Sequence, residues 1–349
     1  MTHHSDASSQ DWLLHPLLKR VSRSFYLTLQ VVPQSVRDQV GVSYLFARAA
    51  DTIADTDVIE RSRRLVLLKQ FQGQFASDEI DESRIAALQR EVLPHQGEPA
   101  ERLLLERLED CFHLYRRFAQ EDRDRIRRLM GTLTKGMEMD LTVFRGDSAH
   151  DLTALQTMDD LDRYMYYVAG CVGEFWTRLT QAHVPALAHW GTERMAAIGV
   201  RFGKGLQLTN VLKDLPHDLR KGRCYIPHVL LHQAGLAPQD LLKSDTLPSF
   251  RPVLLQLVAL ALDHLDQGWL YTLAIPRREV RLRLACMWPI LFAVHTLERV
   301  AASSQLLDPT VTVKIPRKQV YRILALTTLT GACGYVATAY FGHARKRIR

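Results

Sequence analysis

Apolar residues recur at spacings of three and four along most of this chain, and no other feature constrains its fold as strongly. The pattern is clearest over residues 61–75, 101–117, 123–140 and 252–271. On an α-helix these spacings place the apolar side chains on one face, where they can pack against a core. Alternating runs of β-branched residues, which would indicate strands, are rare and short. The sequence therefore predicts an all-α protein, and we expect roughly ten helices.

Proline and glycine mark where those helices should end. The breakers stand at Pro33, Pro94, Gly146, Pro185, Gly191, Gly235, Pro248, Pro276 and Pro309. No internal repeat, low-complexity run or long linker divides the 349 residues. We expect residues 1–14 to form a flexible N-terminus and residues 15–345 to form a single helical domain with a basic C-terminal end.

Cysteine usage and the N-terminal sequence both indicate a cytoplasmic protein. The five cysteines are Cys111, Cys171, Cys224, Cys286 and Cys333. They are odd in number, far apart and never form a C-x-x-C pair, which argues against a disulfide framework and against a zinc site. Residues 1–10 are polar and lack the basic and apolar regions of a signal peptide.

The formal net charge is +7, and part of this excess lies in the basic stretch at residues 343–349. Such a tail could contact the inner face of a membrane, or it could be a solvated helix end with cations near the negative end of the helix dipole. Residues 321–341 are fairly apolar but rich in Thr and Gly, which favours a buried helix over a membrane span. No nucleic-acid-binding motif is present. We expect a monomer without a nucleic-acid partner.

Two pairs of aspartates stand out, Asp51 with Asp55 and Asp214 with Asp218. Each pair has a spacing of four, so on a helix its carboxylates share one face, about 5–6 Å apart at Cβ. Like charges held that close repel each other unless a divalent cation lies between them. Mg²⁺ prefers hard oxygen ligands and is often bound by one or two carboxylates together with substrate phosphates. One pair is a weak signal, but two pairs that each follow an apolar segment predict a pocket with facing acidic walls, metal ions and an anionic ligand.

Cations close to both pairs in sequence could supply the rest of a diphosphate site. They are Arg23, Arg48, Lys213, Lys221 and Arg223. Arg offers phosphate a planar fork of donors, whereas Lys offers a point charge. Arg48 lies three residues before Asp51 and shares its helix face, which favours a binding role. Lys221 is more typical of a solvated surface charge.

Five segments of the chain resemble the squalene/phytoene synthase family. They are S-R-S-F-Y at 22–26, Y-L-F-A-R-A-A-D-T-I-A-D at 44–55, Y-M-Y-Y-V-A-G-C-V-G-E at 164–174, Q-L-T-N-V-L-K-D-L-P-H-D at 207–218 with G-R-C-Y-I-P at 222–227, and V-K-I at 313–315. The resemblance extends from about residue 15 to residue 345, and the segments are specific in their combination and order. It implies a single-domain, all-α isoprenoid-synthase fold with a central cavity.

The same resemblance implies roles for individual residues. The Mg²⁺ ligands would be Asp51, Asp55, Asn210, Asp214 and Asp218. The diphosphates would be bound by Ser22, Arg23, Ser24, Tyr44, Arg48, Gln207, Asn210, Lys213 and Arg223, with Trp288 beside the substrate. The prenyl tails would lie against Phe25, Leu45, Val168, Ala169, Gly170, Gly173 and Leu206. Tyr164 matches the family's catalytic tyrosine, although a core tyrosine beside Tyr166 and Tyr167 is the other interpretation.

The activity that the resemblance implies is the head-to-head condensation of two farnesyl diphosphates, through presqualene diphosphate, to squalene. Mg²⁺ and NADPH would be the cofactors. No G-x-G-x-x-G motif is present, so NADPH would not bind a dinucleotide fold. Its phosphates would instead meet Arg23, Arg48, Lys213, Lys314 and Arg317. The cations at residues 314–317 are explained equally well as the basic start of a helix that has no role in binding NADPH.

Other functions stay open at this point. The G-M-E-M-D at residues 136–140 is typical of carotenoid-type relatives, and a member without the reduction would make presqualene diphosphate, dehydrosqualene or phytoene. A chain-elongating prenyl synthase would prefer a D-D-x-x-D motif, which neither acidic pair has. A non-catalytic helical membrane-surface protein would have lost an acidic pair, and both pairs are intact.

Four positions depart from the family pattern. Lys213 stands where Arg is usual, so the charge is kept but the planar fork is lost. Ala54 and His217 stand where many relatives have an acid, which leaves fewer metal ligands. Pro216 has no backbone N–H, and we expect it to kink or end the helix inside the second motif.

Overall fold

Helices make up nearly all of the computed structural model, which describes residues 10–22, 26–76, 79–330 and 334–348. The α-helices are α1 (Leu18–Ser22), α2 (Tyr26–Val31), α3 (Gln34–Asp55), α4 (Arg61–Gly73), α5 (Glu82–Val92), α6 (Pro99–Glu106), α7 (Leu108–Arg116), α8 (Gln120–Val143), α9 (Met158–Met165), α10 (Cys171–His183), α11 (Thr192–Arg220), α12 (His228–Gln233), α13 (Leu247–Ala274), α14 (Val280–Ala302), α15 (Arg317–Leu329) and α16 (Gly334–Lys346). A π-helical turn at Tyr166–Gly170 joins α9 to α10. The prediction of an all-α protein is confirmed.

The described residues contain sixteen α-helices, more than the roughly ten that the apolar spacing suggests. Short interruptions account for the difference. Residues 101–117, for example, read as one helix in the sequence but belong to α6 and α7. Arg107 separates them because its φ of −104° and ψ of 16° interrupt the helical backbone.

A single short strand pair accompanies the helices in the described part of the chain. β1 (Thr153–Ala154) pairs in parallel with β2 (Arg223–Cys224), with Thr153 opposite Arg223. Gly222 precedes β2 with a φ of +76°, and a Cβ there would stand 2.7 Å from the carbonyl oxygen of Ser148. This turn therefore requires glycine.

The chain divides into two compact units. The N-terminal unit comprises Met1–Leu141 and Arg178–Val184, and the C-terminal unit comprises Thr142–Thr177 and Pro185–Arg349. In the N-terminal unit, an aromatic cluster fills the space between α3, α4 and the following helices. Phe46 lies at its centre, with ring centroids 4.6 Å from Phe112 and 4.9 Å from Phe75. The cluster holds one face of α3 in the core.

A buried carboxylate joins several helices of the N-terminal unit. Asp122, near the start of α8, is only 2% exposed. It accepts hydrogen bonds from Gln39 Nε2 (2.9 Å), Arg125 Nη1 (2.6 Å) and a ring nitrogen of His183 (2.8 Å). Burial by itself would raise the pKa of this carboxyl, but the bonds from His183, Gln39 and Arg125 outweigh it. The pKa of Asp122 is therefore held below its ordinary value.

We expect Asp122→Asn to lower the free energy of unfolding by about 2 kcal/mol near neutral pH, because the buried network loses its charge and an acceptor. Since the folded pKa is lowered, Asp122 stabilises the fold above the ordinary Asp pKa of about 4. That contribution is lost as the pH falls through the folded pKa. Urea unfolding should show wild type and variant converging below about pH 4.

The matched control is Asp124→Asn, which removes a half-buried carboxylate from the same helix. We expect it to change the free energy of unfolding by less than about 0.5 kcal/mol. A difference between wild type and Asp122→Asn that stayed constant as the pH was lowered would contradict the assigned pKa direction.

Close helix packing in the C-terminal unit depends on glycine. A Cβ at Gly173, on α10, would stand 1.9 Å from the carbonyl oxygen of Gly199 on α11. A Cβ at Gly203 would stand 2.1 Å from the carbonyl oxygen of Ala169. α11 also packs along α13, and both helices contact α14. One face of α11 is therefore buried in the core, and polar side chains occupy the other face.

Among the described residues, α14 is the one helix long and apolar enough to cross a membrane. That judgement rests on length and composition alone, and 78% of its most apolar window is buried inside the protein. The core helix of a folded protein has the same properties.

The sequence suggests residues 321–341 as one buried helix, but the described helical residues of this stretch belong to two helices. α15 ends at Leu329, since Thr330 leaves helical geometry with a φ of −81° and a ψ of 4°, and α16 begins at Gly334. Thr and Gly are weak helix formers, and this stretch is rich in them. The expectation of burial was also wrong in part, because Tyr321, Leu329 and Tyr335 are exposed.

Four cysteines are buried free thiols, as the absence of a disulfide pattern predicts. They are Cys111, Cys171, Cys224 and Cys286. Burial raises the pKa of Cys171 to about 12, so it is an unreactive thiol near neutral pH. Cys333 lies outside the described residues.

Candidate active site

The first acidic pair lies on the polar face of α3, in the N-terminal unit. Tyr44, Arg48, Asp51 and Asp55 follow one another at steps of four, three and four residues, so they lie along one side of the helix. The other side, which includes Ile53, is fully buried. The side chain of Asp51 is 50% exposed, and Asp55 is exposed. Their carboxylates are therefore open to a ligand from solution.

Arg48 is fixed in place by acidic partners. Its Nη2 donates to Glu101 on α6, and its Nη1 lies 3.6 Å from Asp51 Oδ2. Thr52 Oγ1 lies 3.4 Å from Glu101 Oε2 and so holds the same carboxylate. Burial opposes the charge of Arg48, but Glu101 and then Asp51 outweigh it and raise the pKa of the guanidinium. Arg48 is thus a permanent cation beside the first acidic pair.

The last turn of α3 is held by side chains from other helices. Arg64, which is 1% exposed, donates from Nη1 to the carbonyl oxygen of Ala54 (3.0 Å). Gln96 Nε2 donates to Thr56 Oγ1 (2.5 Å), just beyond the helix end. Ala54 itself is buried, so this position contributes no ligand. The carbonyl oxygen of Ala54 is therefore satisfied, and two side chains from other helices hold the helix end beside Asp55.

The second acidic pair lies on α11 of the C-terminal unit in a similar arrangement. Gln207, Asn210, Asp214 and Asp218 follow at steps of three, four and four residues and share one side of the helix. The adjacent side is buried and carries Leu208, Leu212, Leu215 and Leu219. Asn210 is exposed, and both aspartates are partly exposed. Lys213 Nζ lies 2.9 Å from Asp214 Oδ2.

Pro216 does not end the helix of the second motif, so one of the two outcomes expected from the sequence, a kink or a helix end, is wrong. α11 continues through it to Arg220, and Arg220 Nη1 donates to the Pro216 carbonyl oxygen (2.8 Å). The side chain of Pro216 is buried. Packing of this helix along its neighbours therefore outweighs the missing backbone N–H, and Asp218 remains helical.

Tyr164 is buried in the C-terminal unit, near the end of α9. Its ring stacks on the ring of Tyr225, with centroids 4.4 Å apart and planes 25° apart. Tyr225 directly follows β2 and also packs edge-on against Phe144, at 5.2 Å. The strand pair and the Gly222 turn thus set the position of the ring against which Tyr164 rests.

The π-helical turn Tyr166–Gly170 follows Tyr164 and packs on α11. Single π-helical turns inside helices occur frequently at functional sites. Lys204 of α11 is buried, and its Nζ contacts both carboxylate oxygens of Asp162 at 2.6 and 2.7 Å. This ion pair ties the helix that carries Tyr164 to the helix that carries the second acidic pair. Val168 and Ala169 of the turn are half-buried and Gly170 is buried.

Several other predicted site residues have structural contacts of their own. Ser22 is buried, and its hydroxyl donates to the Leu18 carbonyl oxygen (2.6 Å). Trp288 is buried, and its Nε1 donates to Thr327 Oγ1 (2.9 Å). Leu45 is fully buried, Arg223 is buried at β2, and Gly173 and Leu206 are half-buried. Arg23, Ser24 and Phe25 lie outside the described residues.

Lys314 and Arg317 are both exposed in the C-terminal unit. Residues 311–316 have no regular secondary structure, and α15 begins at Arg317. The neighbouring Ile315 and Pro316 border a cavity of about 210 Å³ that His295, Glu298, Arg299 and Arg347 also line. The start of a helix, which is the other explanation of this segment in the sequence, is therefore present, next to a cavity lined by both charged and apolar side chains.

Sequence reasoning missed four residues that position the others. Glu101 gives no local signal, because it lies 53 positions from Arg48 in the sequence. Lys204 and Asp162 are likewise remote in sequence. Tyr225 belongs to the family-like segment at residues 222–227, so its presence there was a signal, but its contact with Tyr164 depends on the fold.

The donor set of both pairs fits Mg²⁺. Each offers two carboxylates with hard oxygen atoms on one exposed helix face, and the second adds the amide oxygen of Asn210. No cysteine lies on either face, and the one nearby imidazole, of His217, is exposed. Such oxygen-only sites suit Mg²⁺, which retains several waters and completes its shell with substrate phosphates.

Comparison with known proteins identifies the class. Residues 18–319 match the squalene/phytoene synthase family along their whole length. This match covers most of the chain, and the chain therefore belongs to the squalene/phytoene synthase family. It is a prenyltransferase enzyme.

Individual relatives agree with this assignment. Squalene synthase ERG9 of Saccharomyces cerevisiae is 28% identical over 333 residues, which are 93% of this chain and 70% of the yeast protein. Presqualene diphosphate synthase of Rhodopseudomonas palustris is 30% identical over 264 residues, which are 74% of this chain and 77% of that protein. The solved complex of TcSQS with the ligand BPH1237 has a TM-score of 0.75 at 22% identity and covers 98% of this chain and 95% of its own. The isoprenoid-synthase fold is thereby confirmed.

Proposed function

We propose that this enzyme condenses two molecules of farnesyl diphosphate head to head, forming presqualene diphosphate and then, with NADPH, squalene. The main support is an arrangement that occurs twice. Each acidic pair lies on the polar face of a long helix whose other face is buried, and each has a cation in contact with its first aspartate. Two such faces provide carboxylates for metal ions and cations for diphosphate oxygens.

In this proposal the acidic pairs hold Mg²⁺ and the cations bind the diphosphates. When bound, Mg²⁺ would offset the negative charge that grows on the leaving diphosphate. Members of the family are generally Mg²⁺-dependent, and the oxygen-only donor set is consistent with that. Arg48 contributes a planar fork that Glu101 already holds in place, so little side-chain freedom is lost on binding. Lys213 adds a point charge next to Asp214.

The residues after Tyr164 would protect the reacting carbons from water. Loss of diphosphate leaves an allylic carbocation that water would quench, so the wall around it must be small and apolar. Val168, Ala169 and Gly170 in the π-helical turn offer such a surface. The double bond of the second prenyl chain then attacks, and a proton must leave for the cyclopropane ring to close. Tyr164 would guide that proton, since its ring is fixed by stacking on Tyr225.

We expect Tyr164→Phe to lower kcat by about 10²-fold or more while KM changes little, because the hydroxyl acts in proton transfer and the ring still packs on Tyr225. Steady-state kinetics with farnesyl diphosphate would measure both constants. Tyr167→Phe removes a hydroxyl three residues further along the chain and should retain nearly normal kcat. A rise in KM without a fall in kcat for Tyr164→Phe would contradict the catalytic role.

NADPH would supply the hydride for the second half of the reaction. Lys314 and Arg317 are exposed cations close in sequence to Ile315 and Pro316, which line a cavity, and they would meet the NADPH phosphates. Arg48 and Lys213 are further candidates, as is Arg23, which lies outside the described residues.

A second candidate function is presqualene diphosphate synthesis without reduction. The observation that favours it is the 30% identity to the presqualene diphosphate synthase of Rhodopseudomonas palustris. The metal and diphosphate residues would act in the same way in both cases, and only the fate of the cyclopropyl intermediate would differ.

The test of the proposed chemistry is release of diphosphate from farnesyl diphosphate by the purified chain, with Mg²⁺ or with EDTA. We expect release in the presence of Mg²⁺ and none after chelation. Release that continued unchanged in EDTA would contradict the role given to the acidic pairs.

A further inference from the structure

A group of metal-ligating side chains lies apart from the acidic pairs, on the surface of the N-terminal unit. Glu82 is on the first turn of α5, and Glu109 and His113 are four residues apart on α7. Each side chain offers one ligand atom, and the three atoms lie within 4.8 Å of one another. Among the described residues, this is the one group of three or more His, Cys, Asp or Glu side chains that converge so closely. These three residues form the Glu–Glu–His cluster.

The separations inside the cluster suit ligands that share a metal ion. His113 Nε2 lies 3.4 Å from Glu109 Oε1 and 3.8 Å from Glu82 Oε1. Both distances exceed the roughly 2.7–3.2 Å of an ordinary N–H···O hydrogen bond, so these groups hold one another only weakly. Two ligand atoms that are each about 2.1 Å from a tetrahedral Zn²⁺ lie about 3.4 Å apart. The first distance already has this value, and the second is close to it.

The charges of the cluster favour a divalent cation. Glu82 and Glu109 bring two carboxylates together, and like charges at that distance repel each other. Within the described part of the chain, His113 is the only basic side chain that lies within 4 Å of either carboxylate. Even a protonated imidazole would offset only one of the two negative charges, whereas a divalent cation offsets both.

Helix α7 presents two of the ligands from a backbone that the core holds in place. Glu109 and His113 are one turn apart and lie on the same side of the helix. Phe112 is fully buried, and its ring centroid lies 4.6 Å from that of Phe46 and 5.1 Å from that of Phe75. The inner side of α7 is thus anchored in the aromatic cluster, and its outer side has a defined position.

Helix α5 presents the third ligand from a capped first turn. Asp81 Oδ1 accepts a hydrogen bond from the backbone N–H of Arg84 (3.0 Å), and the backbone N–H of Asp81 donates to Gln74 Oε1 (3.2 Å). These bonds join the start of α5 to the segment that follows α4. Since α5 also packs against α7, the turn that carries Glu82 lies beside the other two ligands.

The mixed donor set determines which kind of ion fits. An imidazole nitrogen together with carboxylate oxygens suits Zn²⁺ and similar first-row ions, whereas Mg²⁺ prefers oxygen ligands alone. Three protein ligands leave one tetrahedral position for water. The Glu–Glu–His cluster therefore differs in its chemistry from the oxygen-only acidic pairs of α3 and α11.

We propose that Glu82, Glu109 and His113 form a Zn²⁺ site that links α5 to α7. The ion is bound by Nε2 of His113 and by one oxygen of each carboxylate, and water completes the tetrahedron. Binding removes the repulsion between the carboxylates and joins the two helices, so Zn²⁺ stabilises the folded N-terminal unit. The inference does not depend on the proposed function, which gives none of these three residues a role.

The test is isothermal titration calorimetry of the full-length chain with ZnCl₂ in the presence of excess Mg²⁺. We expect wild type to bind one more Zn²⁺ per chain than His113→Ala. Groups that only orient a metal ligand contribute about 10- to 100-fold to metal affinity, so loss of a ligand itself should cost at least as much. Glu82→Gln and Glu109→Gln keep the size of the side chain but not its charge, and each should weaken binding at this site at least about tenfold.

Matched controls separate the cluster from other surface groups that bind Zn²⁺. His95→Ala removes an exposed imidazole from the same unit, and Glu121→Gln removes an exposed carboxylate from the first turn of α8. Both should bind Zn²⁺ as wild type does. Thermal unfolding in EDTA verifies the fold of every variant. Added Zn²⁺ should then raise the Tm of wild type and of both controls more than that of His113→Ala.

Equal binding of Zn²⁺ by wild type and His113→Ala would overturn the proposal, as would equal losses in the cluster and control variants. Crystals of the full-length chain grown with ZnCl₂ give an independent readout. At the zinc absorption edge we expect an anomalous difference peak between the side chains of Glu82, Glu109 and His113. Peaks found only at other positions, such as the acidic pairs, would also overturn it.

Discussion

Asp214→Asn is expected to reduce turnover of farnesyl diphosphate by at least about 10³-fold while the chain remains folded. The substitution keeps the size of the side chain but removes the negative charge that a Mg²⁺ ligand requires. Asp214 lies on the exposed side of α11, and the core contacts of that helix come from its other side. Asp51→Asn should act in the same way on α3. Steady-state turnover and thermal unfolding would be measured together.

Glu193→Gln is the matched control for the second motif. It removes one exposed negative charge from the first turn of the same helix and should leave turnover close to normal. Near-normal turnover in Asp214→Asn or in Asp51→Asn would contradict the assignment of these aspartates as Mg²⁺ ligands. A large loss of thermal stability in either variant would mean that the aspartate supports the fold instead.

Gly173→Ala is expected to destabilise the folded protein by about 3 kcal/mol or more. The added Cβ would stand 1.9 Å from the backbone oxygen of Gly199, and backbone cannot move aside as a flexible side chain can. Helices α10 and α11 would have to separate. This would disturb the π-helical turn before α10 and the part of α11 around Gly199. Urea unfolding would measure the loss.

Gly342→Ala is the control for this substitution, because Gly342 is also inside a helix but a Cβ there meets nothing within 4 Å. We expect it to leave stability unchanged or to raise it by up to about 1 kcal/mol. If Gly173 only lined a path for the prenyl tail, its substitution would alter kinetics and spare stability. A loss below about 1 kcal/mol in Gly173→Ala would thus contradict the close-packing account.

The placement of both acidic pairs could be predicted from the sequence because it depends on local geometry. A spacing of four puts Asp51 and Asp55 on one side of any helix, and the apolar residues between them decide which side is buried. The structure places Tyr44 and Arg48 on that side too, as their spacing implies. The all-α fold was predictable for the same reason.

Contacts between distant segments were not predictable from one sequence. No residue close to Arg48 in the sequence indicates that it will form an ion pair with Glu101. Tyr225 contacts Tyr164 only because Gly222 and the strand pair turn the chain toward α9. These contacts decide how rigid the candidate catalytic groups are.

Pro216 illustrates where a local rule fails. The missing N–H predicts a kink or a helix end, yet α11 does not end there and continues to Arg220, because its buried face packs along neighbouring helices. Tertiary packing there outweighs one lost hydrogen bond. The same limit applies to residues 321–341, where average hydropathy could not indicate that the apolar side chains would be divided between an inner and an outer side.

The most direct measurement is product analysis by mass spectrometry after purified protein is incubated with farnesyl diphosphate and Mg²⁺, with and without NADPH. We predict presqualene diphosphate when NADPH is absent and squalene when it is present. Presqualene diphosphate under both conditions would select the second candidate function. Farnesyl diphosphate that stayed intact, or gave only farnesol, under both conditions would contradict head-to-head condensation itself.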